Sequence, residues 1–150
     1  MVDNECGCCT AVAVMHDLFP QEKTVADEVH IPIASEADIL TARKRGRELA
    51  EKLGFWSVEK TFIAMAISEL ALNILQYAGQ GEIVLSIAER GDGTQGILII
   101  ARDRGPGITD VEQAMQKGYG LSGAKRLVDE FEIRSEPGKG TTVILKKWVR

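Results

Sequence analysis

The sequence feature that most constrains the fold is an apolar run at residues 97–100, Ile-Leu-Ile-Ile, that leads into Asp103-Arg-Gly-Pro-Gly107. A run rich in β-branched residues and bounded by Gly and Pro predicts a buried strand, which places Asp103 where that strand ends. A carboxylate there accepts hydrogen bonds from an amino group, and Gly105 and Gly107 let the backbone approach a flat ring or turn with positive φ. These properties suit a nucleotide base, although Asp, Gly and Pro together also form ordinary turns.

The length and charge of the chain indicate one acidic domain. Its 150 residues suffice for a substantial core, and 18 Lys and Arg against 22 Asp and Glu give a net charge of −4. Because the basic residues are scattered or alternate with acids, this balance favours neither a nucleic acid nor an anionic membrane as a partner. No window approaches the about 20 apolar residues that span a bilayer, and the start lacks the positive residues of a secretory signal. We therefore expect a cytoplasmic protein.

The first 24 residues show no sustained periodicity and are predicted to be a flexible extension, with the globular domain at residues 25–150. This extension carries Cys6, Cys8 and Cys9. Three cysteines so close together do not form a disulfide framework, and they supply too few ligands for a closed zinc site unless His16 joins them. A metal or redox role for them is the less favoured interpretation.

Two helices are predicted in the first half of the domain. Ser35, followed three residues later by Asp38, has the pattern of a capping box at the start of a helix that ends at Gly54. Ser57 then caps a second helix over residues 58–78, whose apolar content predicts that it is largely buried.

Glu69 and Asn73 interrupt the apolar sequence of the second helix. They are four residues apart and therefore lie on one face. Glutamate is rarely buried without a partner or a purpose. The two side chains are either a polar pair that satisfies itself or part of a functional site.

The remaining elements are predicted from alternation, Gly and Pro. The predicted strands are residues 25–33, 82–89, 96–102, 131–135 and 141–148, and the predicted further helices are residues 110–117 and 121–130. Pro32 favours an edge position for the first strand. The last two strands form a hairpin across residues 136–140, Glu-Pro-Gly-Lys-Gly.

Residues 118–123, Gly-Tyr-Gly-Leu-Ser-Gly, also fit the Gly-x-Gly-x-x-Gly pattern of dinucleotide-binding folds. That pattern requires a strand directly before it, whereas residues 111–117 are predicted to be helical, which disfavours a Rossmann site. No Gly-x-x-x-x-Gly-Lys-Ser/Thr sequence occurs, which removes a P-loop. What remains is a helix start whose free N–H groups are placed to hold phosphates.

Four segments, in this order and spacing, resemble the N, G1, G2 and G3 boxes of the GHKL ATPase superfamily. They are Glu69-Leu-Ala-Leu-Asn73, Asp103-Arg-Gly-Pro-Gly107, residues 118–123 and Gly140-Thr141. The similarity is greatest to the anti-sigma-type serine protein kinases, and residues 36–43, 67–73, 77–79 and 125–131 look like the RsbT-type switch kinases of stress-response partner switching. The resemblance covers residues 28–150. It implies the Bergerat fold, an α/β (α+β) two-layer sandwich with a mixed, mainly antiparallel sheet and helices on one face.

The resemblance also implies a site for ATP and Mg²⁺. Glu69 would be the catalytic base and Asn73 the Mg²⁺ ligand, while Asp103 would accept the adenine amino group and Thr141 would hold the base. The implied ATP-binding residues are Asn73, Asp103, Gly105, Gly107, Gly118, Gly120, Gly123 and Thr141. The chemistry agrees, because Mg²⁺ prefers oxygen ligands and usually takes only one or two from the protein. A glutamate one turn from Asn73 is placed to take the proton of a hydroxyl that attacks the γ-phosphate.

By the same resemblance, the substrate would be a STAS-domain antagonist protein. A PPM-type phosphatase or a sigma factor would be the second partner, and a homodimer is compatible with the family. A rival hypothesis is a binding module, an anti-sigma factor or switch protein with little chemistry, because the lid at residues 118–123 is shorter than is usual in the family. The catalytic domain of a histidine kinase is disfavoured, since His16 and His30 lie outside any long helical repeat.

Overall fold

A computed structural model of the chain describes residues 28–107 and 121–150, together with the backbone of residues 23–24. Its elements in chain order are β1 (Lys23–Thr24), β2 (Val29–Ile33), α1 (Glu36–Leu53), α2 (Ser57–Tyr77), β3 (Gly81–Glu89), β4 (Gln95–Asp103), α3 (Leu121–Leu127), β5 (Glu130–Glu136) and β6 (Gly140–Trp148). Apart from β1, the predicted extension lies outside the described residues, as does the predicted helix at residues 110–117. None of the described helices is long and apolar enough to cross a membrane.

The strands form one sheet in the order β1-β3-β4-β6-β5, with β2 paired to β3 beside β1. All pairings between described strands are antiparallel. Among these strands β2 pairs with β3 alone, so it is an edge strand, which explains how it accommodates Pro32. The predicted two-layer fold with a mainly antiparallel sheet is confirmed.

Helix α1 begins and ends where its capping residues predict. The backbone N–H of Ser35 donates to the Asp38 carboxylate at 3.1 Å, and Gly54 closes the helix with φ 90°. The predicted cap of α2 is wrong by one residue. Ser57 is already helical, and the extended Trp56 precedes it, because the Lys60 N–H donates to the Trp56 carbonyl at 2.9 Å.

The helices pack on one face of the sheet and bury the main core. The sheet supplies side chains that alternate along β3, β4 and β6, and α2 supplies most of the helical side chains. The largest of these residues are Ile63, Ile67, Leu70, Ile74, Ile83, Leu85, Ile97, Ile99 and Leu145. This packing fixes α2 over the strand ends at which the predicted site residues lie.

The opposite face of the sheet, here called the far face, also carries a buried cluster. Its members are Val84, Ala88, Leu98, Ile100, Ile144 and Trp148. Ser86 and Lys146 are buried on the same face. Lys146 Nζ lies 5.4 Å from the centre of the Trp148 ring.

We expect the burial of Lys146 to make stability depend on alkaline pH. Burial lowers the pKa of Lys146 from 10.5 to about 7, because desolvation disfavours the ammonium. Between these two values the folded protein binds fewer protons at this group than the unfolded chain, so the free energy of unfolding should rise with pH. Lys146→Met should flatten this rise in urea titrations between pH 7 and pH 10. The exposed Lys44→Met is the control, and an unchanged slope in Lys146→Met would contradict the expectation.

Candidate functional site

The site begins at the end of β4, where Asp103 lies opposite Thr141 of β6 on one side and Gly81 of β3 on the other. The backbone N–H of Gly105 donates to Asp103 Oδ1 at 2.9 Å. Burial raises the pKa of the Asp103 carboxyl above its ordinary value, although hydrogen bonds from the backbone N–H groups of Gly105 and Thr141 oppose the shift. A half-buried carboxylate at the edge of a cleft can accept one further hydrogen bond from a ligand.

Asn73 supplies the second part of the site. Its side chain is 5% exposed, and its Oδ1 is buried with no hydrogen-bond partner within the described part of the chain. A buried acceptor left without a donor costs about 1–3 kcal/mol. The alternative in which Glu69 and Asn73 simply hydrogen-bond each other does not remove this cost, because a carboxylate has no proton to donate to an amide oxygen. An oxygen of this kind fits the needs of a hard cation such as Mg²⁺.

Glu69 lies one helical turn before Asn73 on α2 and is half-buried. None of the ion pairs between described residues involves it. Its carboxylate is therefore more accessible than a core position would allow. This degree of exposure is suited to a group that must meet a hydroxyl from another protein.

Gly81 shows that α2 and the end of β4 meet. A Cβ built on Gly81 would lie 2.9 Å from Cγ2 of Ile74 and 3.1 Å from Cβ of Asp103. Ile74 follows Asn73 directly, so the turn of α2 that carries Asn73 lies close to the end of β4 that carries Asp103. Only glycine fits at position 81 without moving one of them.

The loop after Asp103 is held against its neighbours at both glycines that the sequence singled out. A Cβ on Gly105 would lie 2.6 Å from Cβ of Ala78 at the end of α2. Gly107 has φ 81°, and a Cβ there would overlap the carbonyl oxygen of Glu136. The N–H of Gly138 also donates to the Pro106 carbonyl at 2.7 Å. The positive φ of Gly107 agrees with the turn that the sequence allowed. The close approach of other protein segments to both glycines was not anticipated from the sequence.

A series of Gly→Ala substitutions should separate backbone strain from overlap. Gly91→Ala meets nothing within 4 Å at ordinary φ, Gly138→Ala meets nothing but has φ 79°, and Gly140→Ala has φ 92° and overlaps the Asp103 carbonyl oxygen. We expect Gly91→Ala to leave the free energy of unfolding almost unchanged. Gly138→Ala should lower it by about 1 kcal/mol, and Gly140→Ala by about 3 kcal/mol or more. Urea unfolding measures all three. Equal losses for Gly138→Ala and Gly140→Ala would contradict the close contact at Asp103.

Sequence reasoning missed Ser135. Its Oγ lies 2.9 Å from Oγ1 of Thr141, whose side chain is buried at 6% exposure. The contact orients the hydroxyl that is expected to hold the base. A signal was present, because the turn predicted at residues 136–140 places Ser135 opposite Thr141 in the hairpin.

The glycine-rich segment is only partly described. Gly118 and Gly120 lie outside the described residues, whereas Gly123 lies in α3 with open space around it. Helix α3 packs against α2 through the buried Leu121 and Ala124. It ends at Leu127, three residues earlier than predicted, because β5 already begins at Glu130.

A cleft of about 680 Å³ lies next to these residues but does not coincide with them. It shares Asp103 with the site, yet it is lined by far-face residues such as Glu82, Ile100 and Arg102 and includes neither Asn73 nor Thr141. Arg102 is ion-paired with Glu82 there, at 2.5 Å. The candidate nucleotide site is therefore on the helix side of β4.

An antiparallel sheet with helices on one face, an acid at a strand end and an unpartnered amide oxygen on the facing helix define an ATPase of the GHKL class. The model of the "Histidine kinase-, DNA gyrase B-, and HSP90-like ATPase" family matches residues 58–149. The chain belongs to this family. Its members use ATP, and the predicted resemblance is confirmed.

Named relatives define the place of the chain within the family. It is 44% identical to the serine/threonine-protein kinase RsbT of Bacillus subtilis over 133 residues, which is 83% of this chain and 98% of RsbT. It is 37% identical to the anti-sigma F factor of Halalkalibacterium halodurans over 103 residues, covering 59% of this chain and 69% of that protein. The chain thus belongs to the family of the serine/threonine-protein kinase RsbT.

A solved structure shares the fold at much lower sequence similarity. A chain of the SiaB-SiaC complex from Pseudomonas aeruginosa superposes with a TM-score of 0.52 at 16% identity. The match covers 92% of this chain and 97% of that one. At this identity the comparison supports the architecture alone.

Proposed function

We propose that this protein transfers the γ-phosphoryl group of ATP to a serine of a STAS-domain antagonist protein in a partner-switching module of the cytoplasm. Phosphorylation would dissociate the two proteins and free the kinase for a second partner, such as a PPM-type phosphatase or a sigma factor. The observation that carries the proposal is the buried Oδ1 of Asn73, which lacks a hydrogen-bond partner within the described residues. Asn73 precedes Ile74, which packs close to the end of β4 that carries Asp103. A purely structural helix would have no use for such an oxygen.

The residues divide the work of binding and proton transfer. Asp103 would accept a hydrogen bond from the adenine amino group, and Thr141, oriented by Ser135, would hold the other edge of the base. The serine oxygen of the substrate attacks the γ-phosphorus, the bond from that phosphorus to the bridging oxygen breaks, and ADP leaves. Glu69 takes the proton of the serine hydroxyl. Its position on the rigid helix α2 holds the carboxylate at a fixed distance from Asn73.

Asn73 would hold Mg²⁺ through Oδ1. The bound ion supplies positive charge to the phosphates of the nucleotide. Among the described residues the protein would contribute this single amide oxygen, in keeping with an ion that usually takes one or two protein ligands together with substrate phosphates.

Phosphotransfer to a candidate partner tests the proposal directly. The purified protein is incubated with a STAS-domain protein from the same organism and γ-labelled ATP, and the modified residue is mapped by mass spectrometry. We expect label on one serine and a weaker complex after modification. A STAS-domain protein that binds the chain but is not labelled in the presence of ATP and Mg²⁺ would overturn the proposed substrate.

Replacing Asn73 should separate a metal ligand from a structural side chain. We expect Asn73→Ala to weaken ATP binding in the presence of Mg²⁺ by at least tenfold, with a much smaller effect in EDTA. Removing an unsatisfied buried oxygen should at the same time leave the free energy of unfolding unchanged or only slightly lowered. Calorimetric titration and urea unfolding measure the two effects. A loss of about 2 kcal/mol or more in stability, with Mg²⁺-independent ATP binding, would indicate a structural polar pair instead.

A second candidate function is a docking module, an anti-sigma factor or switch protein with weak or no kinase activity. The sequence favours it in one respect, because the lid at residues 118–123 is shorter than is usual in the family that the chain resembles. A shorter lid over the phosphates would weaken ATP retention. Calorimetric titration distinguishes the two functions, because a docking module binds its partner protein equally well when no ATP binding is measurable.

A further inference from the structure

Helix α2 carries a line of exposed apolar side chains. Val58, Met65 and Leu72 are 54%, 47% and 41% exposed, and they recur every seven residues along the helix. Seven residues are nearly two helical turns, so the three side chains stand in line over about 21 Å. Single exposed apolar residues are common on protein surfaces, whereas a connected apolar patch marks an interaction site. These three residues are called the stripe below.

The surroundings of the stripe carry almost no charge. Within residues 61–77 the sequence has a single charged residue, Glu69. Helix α1 differs, because its exposed side carries charged residues at positions 43–45, 47–48 and 51–52. A helix face that meets only water is usually polar or charged in this way. The stripe is therefore exposed in the isolated chain, yet its composition is that of a surface covered in a complex.

Glu69 lies where the stripe meets the buried side of α2. It follows Met65 by four residues and precedes Leu72 by three, the spacings at which helical side chains are neighbours. Seen down the helix axis, Met65 and Leu72 are about 40° and 60° to one side of Glu69, and Asn73 is about 40° to the other. Asn73 is buried, whereas Met65 and Leu72 are exposed. The carboxylate thus has the expected Mg²⁺ ligand on one side and the stripe on the other.

We propose that the stripe is the docking surface for the protein substrate and receives apolar side chains that flank the phosphoacceptor serine. The inference rests on the proposed function and deepens it, because it assigns the surface through which the substrate reaches Glu69. The serine hydroxyl must come within about 3 Å of the carboxylate that takes its proton. A segment so close to Glu69 also meets Met65 and Leu72, since neighbouring Cβ atoms on a helix are about 5–6 Å apart. The stripe is therefore continuous with the point at which the serine must arrive.

The shape of the stripe suits a protein rather than a small ligand. The outer side of a helix is convex, and small molecules bind in concave pockets. The cleft described above lies on the far face and includes none of the stripe residues. A partner with apolar side chains on both sides of its serine would bury the stripe and exclude water from Glu69 as the hydroxyl arrives.

Met65→Glu and Leu72→Glu test the docking surface in the full-length chain with a STAS-domain partner, ATP and Mg²⁺. Because a carboxylate is costly to bury without a partner, each variant should bind the partner protein about tenfold or more weakly in calorimetric titration. The KM for the partner should rise by a similar factor, while ATP affinity stays within about twofold. Met65→Leu keeps an apolar side chain and should bind the partner normally. Gln95→Glu, which adds the same charge at the exposed start of β4, should also bind it normally.

The outcomes separate the docking surface from the proposed function. Normal partner binding by both Glu variants, while the unmodified chain labels the partner, would overturn the docking surface alone. Weakened binding of a partner that is never labelled would overturn the proposed substrate and support the stripe as a docking surface. A STAS-domain protein that does not bind the unmodified chain would overturn both.

A cross-link locates the contact without relying on a loss of affinity. With Cys6, Cys8 and Cys9 changed to Ser, a benzophenone is attached through Leu72→Cys and, as the control, through Gln95→Cys. The label at position 72 should cross-link to the segment of the partner that carries the phosphorylated serine, as mapped by mass spectrometry. The label at position 95 should give no cross-link to that segment. Equal yields from both positions, or a cross-link from position 72 that is remote from the serine, would overturn the proposal.

Discussion

Glu69→Gln is expected to lower the rate of phosphotransfer by about 10²–10⁴-fold while ATP and the partner protein still bind. The amide keeps the size and the hydrogen-bonding oxygen of the side chain but cannot take a proton from the attacking serine. Glu69 is half-buried and belongs to none of the ion pairs between described residues, so its loss should not disturb the fold. Initial rates with labelled ATP, together with calorimetric titration of ATP, measure the two properties separately.

The matched control is Glu59→Gln, which makes the same change in the first turn of the same helix. It should leave the rate of phosphotransfer within twofold of the unmodified protein, the scatter of an ordinary surface substitution. A Glu69→Gln protein that keeps its full rate would show that another group accepts the proton. A variant that loses partner binding as well would place Glu69 in the interface rather than in catalysis.

Asp103→Asn is expected to weaken ATP binding by about 10–100-fold, the range for losing a hydrogen bond to a charged group. The unmodified protein should also prefer ATP to inosine triphosphate, which carries a carbonyl oxygen in place of the amino group. Because the asparagine side chain presents a donor as well as an acceptor, Asp103→Asn should remove most of that preference. Titration of both nucleotides into both proteins gives the four affinities that are needed.

This comparison of nucleotides guards against a purely structural explanation. Asp103 also accepts the N–H of Gly105, so its replacement could loosen the loop. A loosened loop would weaken both nucleotides equally and leave the preference for ATP intact, which would contradict the assigned role. Asp92→Asn is the control, since Asp92 similarly accepts the N–H of Thr94 at 2.9 Å in the exposed turn before β4. It should change neither affinity.

Local patterns predicted the elements because each pattern acts over a few residues. The apolar run at residues 97–100 is the centre of β4, and Ser35 and Gly54 bound α1 as their side-chain chemistry and backbone freedom require. The turn at residues 136–140 sets the register of the last hairpin. Helix α2 begins one residue before the predicted start, because the carbonyl of Trp56 accepts the first helical hydrogen bond. The presence of Ser57, a residue type that often caps helices, does not reveal this.

The sequence suggested which residues belong to the candidate site, but it did not reveal their contacts or their burial. The spacing of Glu69 and Asn73 placed both on one face of α2, but it could not show that Asn73 is buried with an unsatisfied oxygen while Glu69 is half-buried. Burial depends on which other elements cover that face. Similarly, the need for glycine at position 140 comes from the Asp103 carbonyl, which belongs to a different strand.

The order of residue types along the chain was enough to locate the described helices and strands to within a few residues and to indicate membership of an ATPase family, because these follow from period, caps and motif spacing. The pairing of Asp103 with Thr141, the approach of α2 to both and the burial of the far face arise only when distant segments pack together. These features depend on the free energy of bringing together segments that are far apart in sequence. A local sequence pattern carries no information about that free energy.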